Sequence, residues 1–298
     1  MTYSEFLRRF PSNDACLEYL KAKFYPDGTV CPKCEKSSRF HRIKGRSAYS
    51  CQFCGHHVYP TAGTIFHKST TSLQLWFWAI YLVASSKCGI SAKQLGREIG
   101  VTYKTAWRML KQIRLLLDED GGQLTGEVEL DETFIGGKPR ASQTRGMSRS
   151  ELARHALAKK TIVFAAAERG GRVRASVVPQ RDRANLIAKS REFVLPESMI
   201  FTDEWPPYDH VAPYFQGHRR IKHKQRIYVQ DDAGTQNLES FFALFKNSVR
   251  GAHHNVSAKY LPWYLSEYTF RWNHRKDERS IFWTILDRAQ KDQLLAGA

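Results

Sequence analysis

The chain has 298 residues and a formal charge of +17, from 46 Lys+Arg against 29 Asp+Glu. Such basicity selects a polyanionic partner, because charge steering and counterion release both favour phosphate-bearing surfaces. With 42% apolar and 12% aromatic residues it is not a disordered basic tail, which would lack the side chains for a core.

The opening MTYSEFLRRF places Glu5 before its apolar residues and has no long apolar core, unlike a secretory signal. The longest apolar run, Leu75 to Ala84, is ten residues, too short to span a bilayer. The expectation is an intracellular protein with no membrane contact. The acidic, glycine-rich run Asp118 to Gly126 reads as a boundary. Up to Thr125 there are 18 basic and 9 acidic residues, and beyond it 28 and 20, so the basicity is spread over both parts.

Four of six cysteines form Cys31-Pro-Lys-Cys34 and, after sixteen intervening residues, Cys51-Gln-Phe-Cys54-Gly55. Each Cys-x-x-Cys turn presents two thiolates, and two such turns close a tetrahedral shell. Lys33, Lys36, His56 and His57 favour the thiolate form. Two disulfides or four unrelated thiols are the alternatives. Without an export signal, structural Zn2+ on Cys31, Cys34, Cys51 and Cys54 is the expectation. Four sulfurs leave no open position for a substrate, so chemistry must lie elsewhere. Cys16, among Leu17 and Leu20, and Cys88, before Gly89, read as packed thiols.

From Leu73 to Lys87 the spacing predicts a helix burying Leu75, Trp76, Ala79, Leu82 and Val83. Ser91 then caps a helix with Ala92, Leu95 and Ile99 inward, Gly100 makes the turn, and Thr102 caps another. That last helix has Ala106, Trp107, Leu110, Ile113 and Leu117 on one side and Lys104, Arg108 and Lys111 on the other. A helix, a glycine turn and a basic-faced helix make the helix-turn-helix pattern. A three-helix bundle with a solvated basic face is the alternative.

Beyond the boundary, Glu127-Val-Glu-Leu-Asp131 alternates, which predicts a strand with Val128 and Leu130 on one face and Glu129 and Asp131 on the other. Thr161 to Ala167 reads as a central buried strand and Arg172 to Val178 as its hairpin partner. Asp182 to Val194 is predicted helical, and Met199 to Thr202 is a fourth strand ending on Asp203-Glu204-Trp205. Lys138 to Lys160, basic and without apolar period, reads as a long loop. Thr235 is the expected cap of a helix that buries Leu238, Phe241, Phe242, Phe245 and Val249. On a neighbouring stripe lie Glu239, Ala243, Lys246 and Arg250.

Acids from a first strand, a fourth strand and a later helix suit two-metal phosphoryl transfer, because carboxylates are hard ligands for magnesium. Each has a plainer reading as well: Glu239 suits the positive end of a helix dipole, and Asp203 suits a turn.

In these motifs the chain resembles bacterial insertion-sequence transposases of the DDE class with an N-terminal zinc ribbon and an ISXO-like catalytic domain. The likeness rests on the cysteine quartet, Asp131-Glu-Thr-Phe-Ile-Gly-Gly-Lys138, Thr202-Asp203-Glu204-Trp205 and Asn237-Leu-Glu239-Ser-Phe-Phe. It also rests on Lys246-Asn-Ser-Val-Arg-Gly251, His254-Asn-Val-Ser257 and Glu267-Tyr-Thr-Phe-Arg271-Trp-Asn273. Their order covers nearly the whole chain.

The resemblance implies an α+β multidomain protein: an N-terminal helix and zinc ribbon over 1–64, a helix-turn-helix region over 65–125, and an RNase H-like α/β catalytic domain over 126–298. It assigns Asp131, Asp203 and Glu239 as catalytic acids holding two Mg2+ or Mn2+ ions, with Glu129, Glu132 and Glu204 supporting or solvated. His223 matches the family's histidine after the fifth strand. DNA contacts are expected from Lys104, Arg108, Lys111, His223, Lys246 and Arg250. The implied partners are double-stranded DNA, both element terminal repeats and target, and further copies of the chain in a homodimer or higher oligomer. The implied place is the prokaryotic cytoplasm, at the nucleoid. A non-catalytic DNA-binding descendant of a transposase, or a nuclease that cuts without joining, are the alternatives.

Overall fold

The computed structural model describes residues 1–119, 121–137, 142, 144–220 and 236–289. The chain divides into two compact units, Met1–Leu116 with Asp277–Ala298, and Leu117–Lys276.

In the first unit α1 (Tyr3–Arg9) starts at a capping box, where Thr2 and Glu5 satisfy each other's backbone amides. Ser12 caps α2 (Asn13–Phe24). Short strands follow. The pair β1 (Thr29–Val30) and β2 (Ser37–Ser38) is antiparallel, as is the three-stranded meander β3 (Phe40–Arg42), β4 (Tyr49–Cys51) and β5 (His57–Val58).

Three helices complete the run: α3 (Leu73–Ser85), α4 (Ala92–Ile99) and α5 (Tyr103–Leu115). Ser91 and Thr102 cap the last two, and Gly100 closes α4 with φ +69°, a backbone state that favours glycine. Gly96 allows the close approach of the turn: a Cβ there would lie 2.9 Å from the Val101 carbonyl oxygen. Ala106, Leu110, Ile113 and Leu117 are buried as expected, while Met109 takes the core place predicted for half-buried Trp107. On α3 the buried set is Leu73, Trp76, Phe77, Ala79, Ile80 and Val83. Leu75 and Leu82 are only partly buried, because α3 packs against α2, α4 and α5 and so buries more than one face.

The second unit is built on a five-stranded sheet. Its strands are β6 (Glu127–Ile135), β7 (Thr161–Glu168), β8 (Val173–Val178), β9 (Met199–Thr202) and β10 (Gly217–Arg220), in the order β10-β9-β6-β7-β8. Antiparallel pairing joins β6 to β7 and β7 to β8, whereas β6, β9 and β10 run parallel. The predicted loop between β6 and β7 instead contains a helix, α6 (Arg149–Ala158), set by a Ser148–Glu151 capping box. It buries none of its residues, which is why no apolar period announced it.

Helices cover both faces of the sheet. On one face Leu186 of α7 (Arg183–Phe193), a helix capped by Asp182, is buried with Val128, Leu130, Phe164, Ala166, Ile200 and Tyr208. The other face packs Ile135, Val163, Ala165 and Ala167 against α8 (Gln236–Ser248) and α9 (Leu261–Asn273) through Leu238, Phe241, Phe245, Leu265 and Tyr268. The final helix, α10 (Ile281–Asp287), returns to the first unit, where the Phe282 ring lies 6.0 Å from those of Phe6 and Phe10. Among the described residues no helix is long and apolar enough to cross a membrane.

Candidate functional site

Each Cys-x-x-Cys turn closes on its own first cysteine: the Glu35 amide donates to the Cys31 carbonyl and the Gly55 amide to that of Cys51. Glu35 and Gly55 both take the left-handed backbone, at φ +56° and +69°, which turns the two sulfurs of each pair to one side. Cys31 and Cys54 Sγ are 3.7 Å apart, Cys34 and Cys51 Sγ 3.8 Å, and all four sulfurs lie within 4.8 Å of one another. A tetrahedron of thiolates at about 2.3 Å from zinc has an edge of roughly 3.8 Å. Zinc therefore fits this quartet.

Burial raises the Cys51 thiol, but the Ser38 hydroxyl 3.1 Å away and the Cys54 and Phe53 amides outweigh it and bring it down to about 6. Cys16 is buried as expected, and burial pushes its thiol up to about 12. Cys88, expected to be packed, is exposed, because it lies beyond the end of α3 in the link to α4.

The second cluster lies where β6 and β9 run side by side. Asp131 shares a face with Glu129, as the alternation predicts, and its Oδ1 accepts the Glu132 amide at 2.8 Å. Burial, then the neighbouring charges of Glu132 and Asp203, push its carboxyl up to about 7. Asp203 follows the last residue of β9, and its Oδ1 accepts the Trp205 amide at 3.0 Å. Asp131 and Asp203 are thus electrostatic neighbours that could hold a hard cation between them. Glu239 stands exposed in the first turn of α8. Among the described residues, only the cysteine quartet brings three or more potential metal ligands within 4.8 Å of one another.

Glu129 and Glu132, to which the resemblance gives only supporting or solvated places, are both buried. Glu132, on the opposite face of β6 from Asp131, pairs with the Arg181 guanidinium and accepts the Tyr208 hydroxyl. Burial raises its pKa above the usual carboxylate value. Arg181 stacks on Trp205, with Cζ 3.5 Å from the ring centroid, and its charge partly offsets the rise at Asp131. Glu129 is 1% exposed and accepts the Asn237 and Leu238 backbone amides, each at 3.1 Å, and Asn237 Nδ2 at 2.9 Å. Alternation showed which face each acid would occupy. Nothing local shows the hydrogen-bond partners, which lie 49 to 109 residues away. Glu204 is exposed.

The basic residues named from sequence fall in different places. Lys104 is exposed on α5 and Lys111 half-buried. Arg108 turns back onto its own unit, donating to Ser69 Oγ at 3.2 Å with Cζ 5.8 Å from the Trp76 ring. Lys246 lies near enough to Asp131 to feel its charge, although burial lowers the Lys246 pKa. Arg250 and Lys160 are the other charges around it. His253 Nε2 meets the Tyr268 hydroxyl at 3.0 Å, whereas His254 is exposed with φ +58°. His223 and Thr235 lie outside the described residues.

Residues 123–273 match the family described as the ISXO2-like transposase domain, and residues 11–57 match the transposase zinc-ribbon domain. The chain belongs to the ISXO2-like insertion-sequence transposases. The transposase is also 28% identical over 297 residues to an uncharacterized protein in transposable element ISH50 of Halobacterium salinarum, across 95% of this chain and 99% of that one. A chain of the cryo-EM structure of the simian T-cell lymphotropic virus intasome in complex with PP2A regulatory subunit B56 gamma aligns over 65% of each chain. Its TM-score is 0.31 and its identity 12%, too slight a likeness to bear on fold or chemistry. Family and geometry together make the cysteine quartet of the transposase a structural zinc site.

Proposed function

We infer that this transposase is a DDE enzyme that binds the terminal inverted repeats of its element and cuts and joins DNA with divalent metal ions. The observation that carries the reading is that Asp131, on β6, and Asp203, just past the end of the parallel strand β9, are near enough for their charges to interact, with Asp131 buried enough to be lifted to about 7. Near neutral pH such a carboxyl is readily ionised, and a cation that bound it would displace its proton to solvent. Glu239, at the start of a helix tied to the same strand, is the third acid. The strand order, in which β7 alone runs against the direction of the other four strands, supports an RNase H-like fold for residues 126–298.

Asp131, Asp203 and Glu239 would hold Mg2+ or Mn2+. When bound, such ions supply an activated water and stabilise the leaving oxygen of a phosphodiester. The chain's own share is positional. The three carboxylates orient the reacting groups, Arg181 and Trp205 support the Asp203 turn, and Lys246 with Arg250 offers cations for the DNA backbone. Recognition falls to residues 1–64 and 65–125, where α4, Gly100 and α5 serve as a helix-turn-helix whose Lys104, Arg108 and Lys111 supply cations for DNA. Two element ends must be processed together, so the working form is a dimer or larger, in the cytoplasm at the nucleoid.

The test is a cleavage and strand-transfer assay on element-end DNA with magnesium. Asp203→Asn should abolish both reactions while end binding persists. Full strand transfer by that variant overturns the triad, and binding without cleavage by the wild type favours a non-catalytic descendant.

A further inference from the structure

Glu129 occupies a place that a carboxylate does not take without compensation, since burying an ionised group is costly unless it is paired and hydrogen-bonded. Here it receives three N–H donors from the first turn of α8, and Arg169 Nε lies 3.9 Å from it. Two of these donors are among the four amides that a helix start leaves without intrahelical partners. The Arg169 guanidinium lies over the Phe201 ring, with Cζ 4.0 Å from the centroid, and pairs with Glu127 at 2.7 Å. Phe201 is the register partner of Glu129 across the β6–β9 pair.

One layer thus joins β6, β9 and α8, and it lies two residues before each acid of the triad. Glu129 precedes Asp131, Phe201 precedes Asp203 and Asn237 precedes Glu239 by the same step. On the two strands that step returns to the same face. On the helix it fixes the turn from which Glu239 projects.

We propose that Glu129 is a positioning residue, its buried carboxylate setting the register of α8 against β6 and β9 and so the placement of Glu239 relative to Asp131 and Asp203. The assignment rests on the reading of those three acids as the metal-binding triad. A slip of α8 by one residue would move Glu239 about 1.5 Å along the axis and swing it by about 100°. Metal coordination tolerates only about 0.2 Å, so a small loosening of the helix start should show as weakened metal binding.

The test uses full-length, zinc-loaded protein titrated with Mn2+ and followed by electron paramagnetic resonance, beside cleavage of element-end DNA. Glu129→Ala should weaken Mn2+ binding and lower kcat about 10- to 100-fold, the range seen when a residue that orients ligands is lost, with KM for DNA unchanged. Glu129→Gln keeps an oxygen for the two backbone amides and should recover most of the Mn2+ binding. If Glu129→Ala does not fold, Asn237→Ala, which removes only the side-chain donor, should show a smaller loss in the same direction.

A folded Glu129→Ala, or in its place an Asn237→Ala, with the wild-type Mn2+ midpoint overturns the positioning role. So does a Glu129→Gln as impaired as the alanine variant. Asp203→Asn and Glu239→Gln are the controls. If they bind Mn2+ as the wild type does, the triad reading itself falls, and if they lose it while Glu129→Ala keeps it, only the positioning role falls.

Discussion

Tyr208, in the turn after Asp203, donates its hydroxyl to Glu132, the chain neighbour of Asp131. The bond ties the segment beyond β9 to the centre of β6 from the face opposite Asp131. Glu132 is buried, and its other partner is Arg181. Tyr208→Phe keeps the ring in its apolar surroundings but removes the donor. Leaving a buried acceptor short of a partner costs about 1–3 kcal/mol. Urea unfolding should show that loss as a lower midpoint with an unchanged slope. Equal midpoints for variant and wild type would mean that Arg181 alone satisfies the carboxylate.

Asp131 gives stability a pH dependence whose direction follows from its raised pKa. The folded protein holds this proton up to about 7, whereas an unperturbed aspartate loses it near 3.8. The folded state therefore binds more protons between those values. In magnesium-free buffer its contribution to stability is largest at low pH and is lost as pH rises through about 7. Asp131→Asn cannot ionise. It should melt at a higher temperature than the wild type at pH 8, and the gap should close towards pH 4. A wild type that melts higher at pH 8 would show that burial is not the dominant influence on this group.

Some of this architecture is written in the residues that stop and start elements. Ser91, Gly100 and Thr102 mark the ends of α4 and α5, and the alternation from Glu127 to Asp131 places each side chain on its observed face. Helix α6 escaped because it buries nothing, so the Ser148–Glu151 capping box was its sole local sign. Strand β10 escaped because Gly217-His-Arg-Arg220 is a polar edge without alternation. The roles of Glu129 and Glu132 were out of reach for another reason: a carboxylate in a strand reads as solvated until the fold brings donors to it from distant segments.

The cysteine quartet predicts a separation between thiols that hold zinc and thiols that merely pack. Replacing Cys34 by Ser breaks the tetrahedral shell, and the metal should be lost. Because the binding energy of a structural zinc ion is part of the folding energy of its domain, residues 11–57 should lose their order with it. Cys16→Ala, at a thiol held protonated by burial, should keep the wild-type zinc content and lose stability by a packing defect alone. Zinc per chain by atomic emission, with thermal melts of both variants, checks this. Wild-type zinc content in Cys34→Ser would exclude it as a ligand.

Lys104 and Arg108 are both exposed on α5, yet they should respond differently to truncation. Each cation that neutralises a phosphate contributes about 0.9 to the slope of log K against log salt on duplex DNA. Removing either by alanine should therefore flatten the slope for element-end binding by about one. Among the described residues nothing ties the Lys104 side chain to the protein, whereas Arg108 donates to Ser69 and lies over Trp76. Arg108→Ala should also lower stability, by about 0.5–1.5 kcal/mol for the lost hydrogen bond, while Lys104→Ala stays within about 0.5 kcal/mol of wild type. Binding isotherms at four salt concentrations, with urea unfolding of the same proteins, measure both effects. An unchanged slope for Lys104→Ala would take α5 away from the DNA backbone, and the recognition surface would have to be sought elsewhere in the first unit.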